Sequence, residues 1–400
     1  MQGFFAPSDL LSKAPQASLV PRCGACGLYK HCQSRYMKMN GKGKKKMLIL
    51  GEAPGRTEDE RGIPFCGPSG QLLERALARF DVDLRRDCWV TNSIICRPAD
   101  NRTPTDREIE YCRPNLVRTI RELKPEKILV LGGSAVKSLI GWLWKEDVGK
   151  MGRWVGWQIP HQKLNAWICP TWHPSAIMRN EEERGNPVMT LLFEKHVEAA
   201  CKLSGRPWER VPEYGKQARC IHDPEQVEDT LWTMRDLSKN IAFDFETDRL
   251  KPDHAEARIV CCAVSDGQTT IAYPWHGKAI TATQQLLRSG VPKIGYHSKF
   301  EERWTRRMFG HGVRNWVWDG MLAAHILDNR PGICSLKFQS FVKLGQDAYD
   351  DNIKQFLRAD GSNVPNRIRE VSLNKLLGYC GLDALLEHKI AMLQMKELGH

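Results

Sequence analysis

Four groups of residues in this 400-residue chain have the types and spacing to do chemistry. The first is a cysteine set: Cys23-Gly-Ala-Cys26, then Cys32, then Cys96 after a strand-like run and Cys112 in the helix-like stretch that follows. Four thiolates suit a [4Fe-4S] cluster, because soft sulfur ligands suit iron. Tetrahedral zinc uses the same C-x-x-C unit, although the second C-x-x-C of a zinc ribbon is missing, and buried free thiols need no metal at all. The second group is a Gly/Pro-rich loop, Gly51-Glu52-Ala53-Pro54-Gly55, followed by Glu58-Asp59 and Gly62-Ile-Pro-Phe65-Cys-Gly-Pro-Ser-Gly70. Such a loop lets backbone approach a ligand and carries two or three carboxylates; the bland alternative is a turn with solvated acids. Asn92 on a strand and Trp172-His173-Pro174-Ser175 after another form the third group. The fourth is Asp244-Phe245-Glu246 with Tyr379-x-x-x-Asp383. Alternate residues of a strand face one side, so Asp244 and Glu246 project together and call for a compensating cation. Positions four apart on a helix share a face, so Tyr379 and Asp383 reach one site.

The elements around these residues are legible as patterns. Between residues 47 and 200, MLIL, CWVTNSIIC and KILVLG read as strands, and QLLERALARF, DREIEYCRPNLVRTIREL and SAVKSLIGWL as helices. This βαβα alternation predicts a doubly wound, mostly parallel sheet with helices on both faces. Ligand sites in such sheets lie at the carboxyl ends of the strands, where Gly51, Asn92 and His173 fall. From 204 to 227 the text turns rich in Pro, Gly and charge and reads as a linker. From Asn240, IAFDFETD, RIVCCAVSD and TTIAYPW read as three consecutive strands, with helices from Lys299 onward. That order predicts a second α/β domain of a different kind, so the expected division is 20–203, linker 204–227, and 228–400.

Composition bounds the class. An apolar fraction of 42% suits a globular protein, and a net charge of +12 points to a polyanionic partner, nucleic acid first. No run approaches the roughly 20 apolar residues a membrane helix needs, and MQGFFAPSDLLSKAPQ lacks the order of a signal peptide. The expectation is a cytoplasmic protein without a membrane partner, whose 14 cysteines stay reduced. The run Lys42-Gly-Lys44-Lys45-Lys46 is either a phosphate contact or a solvated basic loop.

The first half resembles the iron–sulfur uracil-DNA glycosylases, family 4 and its phage-polymerase-associated relatives. The resemblance rests on CGACGL, GEAPGRTEDERGIPFCGPSGQLL, TNSIICRP, NRTPTDREIEYCRPNL, VLGGSAVKSL and HPSAIMR, in that order. It implies that Cys23, Cys26, Cys96 and Cys112 ligate a [4Fe-4S] cluster, with Cys32 extra. It implies a substrate wall of Gly51, Ala53, Pro54, Phe65, Asn92 and Ser175, with Phe65 stacking on a flipped uracil and Asn92 reading its edge. His173 is implied as the donor to the leaving base, and Glu52 and Glu58 as the acids that stabilise the sugar cation and orient water. A covalent-trapping relative carries a basic insertion before the PF motif; ERGIPF runs without it, which points to ordinary turnover.

The second half resembles the tyrosine subgroup of DEDD 3′–5′ exonucleases, the proofreading domain of family-A DNA polymerases. The motifs are IAFDFETD, GYHSKFEERW, WDGMLAAHIL and YCGLD. The resemblance implies two divalent cations, Mg2+ or Mn2+, on Asp244, Glu246, Glu301 and Asp383, with Tyr379 orienting water. Glu301 stands where the family carries Asp; Asp319, the other acid nearby, reads as a helix N-cap. Two rival readings remain: a non-catalytic sensor of uracil in DNA, and an active glycosylase joined to an inactive exonuclease-like DNA-binding platform. The chain ends soon after Asp383, where family-A polymerases continue, so the expected partners are DNA and a DNA polymerase domain or protein.

Overall fold

The computed structural model describes residues 20–185, 187–349, 353–359, 361 and 364–400; the opening segment inspected for a signal peptide lies outside them. The chain divides into two compact units, one running to Val211 and including Phe341–Asp347, the other comprising Pro212–Ser340 and Ala348–His400. Among the described residues no helix is long and apolar enough to cross a membrane.

In the first unit, β1 (Met47–Gly51), β2 (Cys88–Asn92), β3 (Lys127–Leu131), β4 (Ile159–His161) and β5 (Ala166–Thr171) form one sheet in the order β2-β1-β3-β5-β4. All neighbours are parallel except β4, which runs antiparallel to β5. The strands β1 and β3 are buried along their whole length, which is why they read as continuous apolar runs rather than alternating ones. Leu73 and Leu77 of helix Pro68–Ala78 and Phe193 and Val197 of helix Val188–Lys202 join Met47, Ile49 and Leu129 in one core. Each such aliphatic side chain contributes about 1.5–3 kcal/mol by leaving water. Helix Gly133–Leu143 packs on β1 and β3 and carries helix Asp106–Leu123 against it. The CWVTNSIIC run is a strand only to Asn92. Beyond it the chain turns, because the Ser93 and Ile94 amides donate to the Gly51 and Glu52 carbonyls.

In the second unit, β6 (Ala218–Cys220), β7 (Ile241–Thr247), β8 (Ile259–Ser265), β9 (Thr270–Pro274), β10 (Lys293–Gly295) and β11 (Trp316–Asp319) form a mixed sheet in the order β11-β10-β7-β8-β9-β6. The three consecutive strands read from sequence are the antiparallel β7, β8 and β9. Helix Leu373–Glu397 lies across β6 to β10. Two details depart from the sequence reading. Residues 204–227 are not all connector, since β6 pairs parallel with β9 and Asp223 caps helix Pro224–Leu237. WVWD is an edge strand within the expected helical region, ending where Asp319 caps the next helix by accepting from the Met321 and Leu322 amides.

Candidate active sites

The carboxyl ends of β1, β2, β3 and β5 open into one cleft of about 670 Å³, lined among others by Glu52, Asn92, Gly132 and His173. Parallel strands force this convergence: each loop leaves the sheet at the same edge. Ala53, Pro54, Glu58, Phe65 and Ser175 line the cleft as well. Gly51, the last residue of β1, is buried behind it. A Cβ there would meet Asn92 Oδ1 at 2.4 Å and the Phe65 ring at 2.5 Å, so glycine is what lets the amide and the ring stand side by side.

Asn92 is 5% exposed, and among the described residues its Oδ1 has no hydrogen-bond partner. An unpaired buried acceptor costs about 1–3 kcal/mol, a cost that a ligand with a matching donor removes. Phe65 holds a left-handed backbone at φ 54°, uncommon for a bulky side chain. The Arg85 guanidinium secures that conformation by donating to Pro64 O at 2.9 Å and Phe65 O at 2.7 Å. The Phe65 ring centroid lies 6.0 Å from that of His173.

His173 caps helix Pro174–Arg184, and its Nδ1 accepts the Ser175 amide proton at 3.2 Å. With Nδ1 an acceptor, the neutral ring carries its proton on Nε2. Burial first, and the Arg179 charge second, lower its pKa to about 4, so the ring is uncharged at neutral pH.

The two candidate acids differ in what they touch. Glu58 spends both oxygens on backbone amides, Oε1 accepting from Gly67 at 2.7 Å and Oε2 from Gly55 at 3.1 Å. It ties together the two ends of the loop that carries Phe65. Among the described residues Glu52 accepts one bond, from Ser134 Oγ to Oε2 at 2.7 Å. Arg85 and Ser134 escaped the sequence reading because each supports its partner from a distant stretch of chain. The Lys42–Lys46 run is held as a loop against Arg85–Asp87 by backbone bonds, with Lys45 on Asp81 O and Lys46 paired to Glu126.

Cys23 and Cys26, on a one-turn helix, line a second cavity together with Cys96 and Cys112. Thr105 and Glu108 form a capping box that starts the helix of Cys112, and Arg102 clamps Glu108 from outside at 2.6 Å. Cys32 is buried in the same apolar cluster next to Cys96. Burial pushes the Cys96 thiol up to about 12 and Cys112 to about 11, so thiolates here need a metal charge. The Tyr36 amide and the Asn115 side-chain amide donate to Cys96 Sγ at 3.4 Å and Cys112 Sγ at 3.6 Å. Four cysteine sulfurs gathered at one apolar cavity form a soft donor set that a thiophilic metal centre fits.

In the second unit, ligand atoms of Asp244, Glu246 and Cys380 lie within 4.8 Å of one another. Glu301 is 3% exposed, and among the described residues Glu301 Oε2 and Asp244 Oδ2 are both buried without a partner. Asp383 accepts from Lys337 Nζ at 2.6 Å and from the Tyr349 hydroxyl. Tyr379 is close to both, its ring 5.8 Å from that of Tyr349. Burial, then the Asp383 charge, raises Asp244 to about 7. Glu246 and Glu301 are pushed well up by burial, then by Asp244. Carboxylates so placed are short of positive charge, and a divalent cation is the group this donor set fits. Asp319 is committed elsewhere, accepting from the Ser298 amide and hydroxyl as well as from its own helix. Glu387, 4% exposed with Oε2 unpartnered, faces the same acids. The sequence reading missed it, although the spacing Tyr379, Asp383, Glu387 repeats one helix face.

Residues 39–196 match the family model of the uracil-DNA glycosylase superfamily, and residues 218–397 that of a 3′–5′ exonuclease family. The type-4 uracil-DNA glycosylase of Pyrobaculum aerophilum is 39% identical over 177 residues, spanning 42% of this chain and 85% of that protein. That of Saccharolobus solfataricus is 33% identical over 194 residues, 48% of this chain and 86% of that protein. A DNA polymerase of Bacillus phage SP01 is 24% identical over 349 residues, 79% of this chain but 36% of the polymerase. The chain belongs to the uracil-DNA glycosylase superfamily, as a type-4 homologue, and carries a domain of the 3′–5′ exonuclease family after it.

Proposed function

We propose that this protein hydrolyses the N-glycosidic bond of deoxyuridine in DNA with its first unit and shortens DNA from a 3′ end with its second. The observation that carries the first activity is the unpartnered Asn92 Oδ1, buried in a cleft flanked by Phe65 and His173. A base in duplex DNA must be flipped out to reach such a cleft. Phe65 stacks on it, Asn92 Oδ1 accepts the uracil N3–H, and the Asn92 amide donates to O4. Cytosine presents an acceptor at N3 and a donor at its amino group, so both bonds become clashes, a strong basis for rejection.

As the C1′–N1 bond breaks, the base gains negative charge and the sugar positive charge. Neutral His173 donates its Nε2 proton as a hydrogen bond to the developing base anion, without giving it up. Glu52 faces the sugar, stabilises the cation and orients the water whose oxygen forms the new C1′ bond, as carboxylates do in glycoside hydrolysis. Glu58 acts as a positioning residue. Cys23, Cys26, Cys96 and Cys112 are assigned to a [4Fe-4S] cluster, which supplies structural cross-linking, since hydrolysis moves no electrons.

In the second unit, Asp244, Glu246, Glu301 and Asp383 are assigned to divalent cations. Such ions supply water activation and leaving-group stabilisation in phosphodiester cleavage. Tyr379 orients the attacking water. DNA is the substrate of both units, and a DNA polymerase is the partner the phage relative suggests.

The test is a labelled strand with one internal uracil, incubated with protein in EDTA and then treated with alkali. Cleavage at the uracil supports the glycosylase; repetition with Mg2+ reads 3′ digestion separately. Intact uracil DNA that the protein nonetheless binds would replace catalysis by a sensor role.

A further inference from the structure

Helix Arg56–Arg61 stands between two loops that serve different sites of the first unit. Toward the cleft, Glu58 accepts the Gly55 and Gly67 amides, and the Cys66 thiol donates to Thr57 O at 3.6 Å. The segment carrying Phe65 is thereby fastened to this helix. The next residue, Asp59, is 3% exposed and turns to the cysteine side. Its Oδ1 accepts the Ser34 amide at 2.8 Å and its Oδ2 the Gln33 amide at 3.1 Å, while the Ser34 hydroxyl donates to the Asp59 carbonyl at 2.5 Å. Arg97, which follows Cys96, brings its guanidinium to 3.9 Å from Asp59 Oδ2. Residues 33 and 34 open the loop whose Tyr36 amide donates to Cys96 Sγ at 3.4 Å and whose Met37 amide donates to Ile95 O at 2.7 Å. Successive side chains on a helix point about 100° apart, so Glu58 and Asp59 reach different neighbours from adjacent positions.

A buried carboxylate with both oxygens on backbone amides is a stiff link, because pulling either end away strands polar groups out of water. We propose that Asp59 is a positioning residue that couples the cysteine metal centre to the uracil cleft. This rests on the reading of the first unit as an iron–sulfur uracil-DNA glycosylase. A loop drawn in by Cys96 and its neighbours holds the Gln33 and Ser34 amides still, and Asp59 passes that constraint to Glu58 and so to the Phe65 loop. When the cysteine loop slackens, the stacking wall for the flipped base loses its place.

The test compares equilibrium binding of two DNA duplexes to the full chain, one with 2′-fluoro-2′-deoxyuridine and one with thymidine at the same position. Fluorine at C2′ disfavours the sugar cation, so the glycosidic bond persists, and the ratio of the two affinities reads the cleft rather than phosphate contacts. Each protein is measured with its visible iron absorption intact and again after oxidation and chelation have removed it. Coupled sites commonly differ about fivefold or more, so the wild-type ratio should fall by at least that factor on iron loss. D59N keeps one acceptor oxygen for two amides; its ratio should already be about fivefold lower with iron bound and change less than about twofold on iron loss. S34A, which removes only the hydroxyl bond, should show the same pattern more weakly and decides the matter if D59N takes up no iron. A wild-type ratio indifferent to iron, or variants that respond to iron loss as fully as wild type, would overturn the coupling while leaving both sites intact. No preference for the fluorinated uridine in any protein would overturn the glycosylase reading, and wild-type protein without iron absorption would overturn the cluster assignment, each taking the coupling with it.

Discussion

Substituting Gln for Glu58 and for Glu52 separates scaffold from chemistry in the first unit. The Glu58 carboxylate accepts two backbone amides, Gly67 at 2.7 Å and Gly55 at 3.1 Å. A glutamine has one acceptor oxygen and must turn its NH2 toward the other amide proton. The loss of one charge-assisted bond is worth about 1.5–3 kcal/mol, taken as about 2. For a unit of this size, about 2–4 °C per kcal/mol gives a fall of about 4–8 °C in the first unit's melting temperature. The same loop carries Phe65, and a displacement of about 1 Å can cost about 100-fold in rate. Glu58→Gln should therefore lose stability and excision together. Glu52→Gln keeps an oxygen for Ser134 Oγ, now bonded at 2.7 Å. Its stability should stay within about 0.5 kcal/mol while excision falls much further, because the charge facing the sugar is gone. Thermal melting and single-turnover excision of a uracil-containing strand read the two effects. Glu58→Gln melting as wild type yet excising as poorly as Glu52→Gln would place the Glu58 charge in the chemistry and refute the scaffold assignment.

Asn92→Ala removes a buried acceptor that has no partner among the described residues, so melting should change little while uracil excision drops about 10²–10³-fold, the loss typical when a side chain that hydrogen-bonds the reacting group is deleted; a large fall in melting temperature instead would make Asn92 structural. His173, lowered to about 4 by burial, stays neutral down to mildly acidic pH. Its contribution to kcat/KM should be flat from pH 8 to 6 and be lost only as pH falls through about 4, and a break near 6.5 would mean that the ring charges. Asp244, raised to about 7 from 3.8, keeps its proton in the fold where the unfolded chain has lost it. Its contribution is thus full below about 3.8 and disappears as pH rises through about 7 in EDTA. Mg2+ should accordingly raise the second unit's melting temperature more at pH 8 than at pH 5.5, and equal shifts at the two values would count against Asp244 as a ligand.

The sequence by itself determined the parts whose physics is local. Continuous apolar runs at MLIL and KILVL required strands buried on both faces, and the residues after them had to gather at one edge of a parallel sheet. Strand alternation joined Asp244 to Glu246, helical spacing joined Tyr379 to Asp383, and Asp319 followed by an apolar helix marked its cap. Tertiary structure decided what depends on partners far along the chain. Sequence offered Glu52 and Glu58 as equal acids; only the fold shows the second held by Gly55 and Gly67, and the first by Ser134 from the first turn of the helix after β3. Arg85 on the Phe65 carbonyl and Lys337 on Asp383 are likewise contacts between segments that no local pattern links. The strand β6, short and charged beside Pro and Gly, read as linker because its strand character comes from pairing with β9 rather than from its own residues. Local periodicity is written in neighbouring residues, whereas the choice among equivalent side chains is made by whichever distant donors and charges the packed chain brings to them.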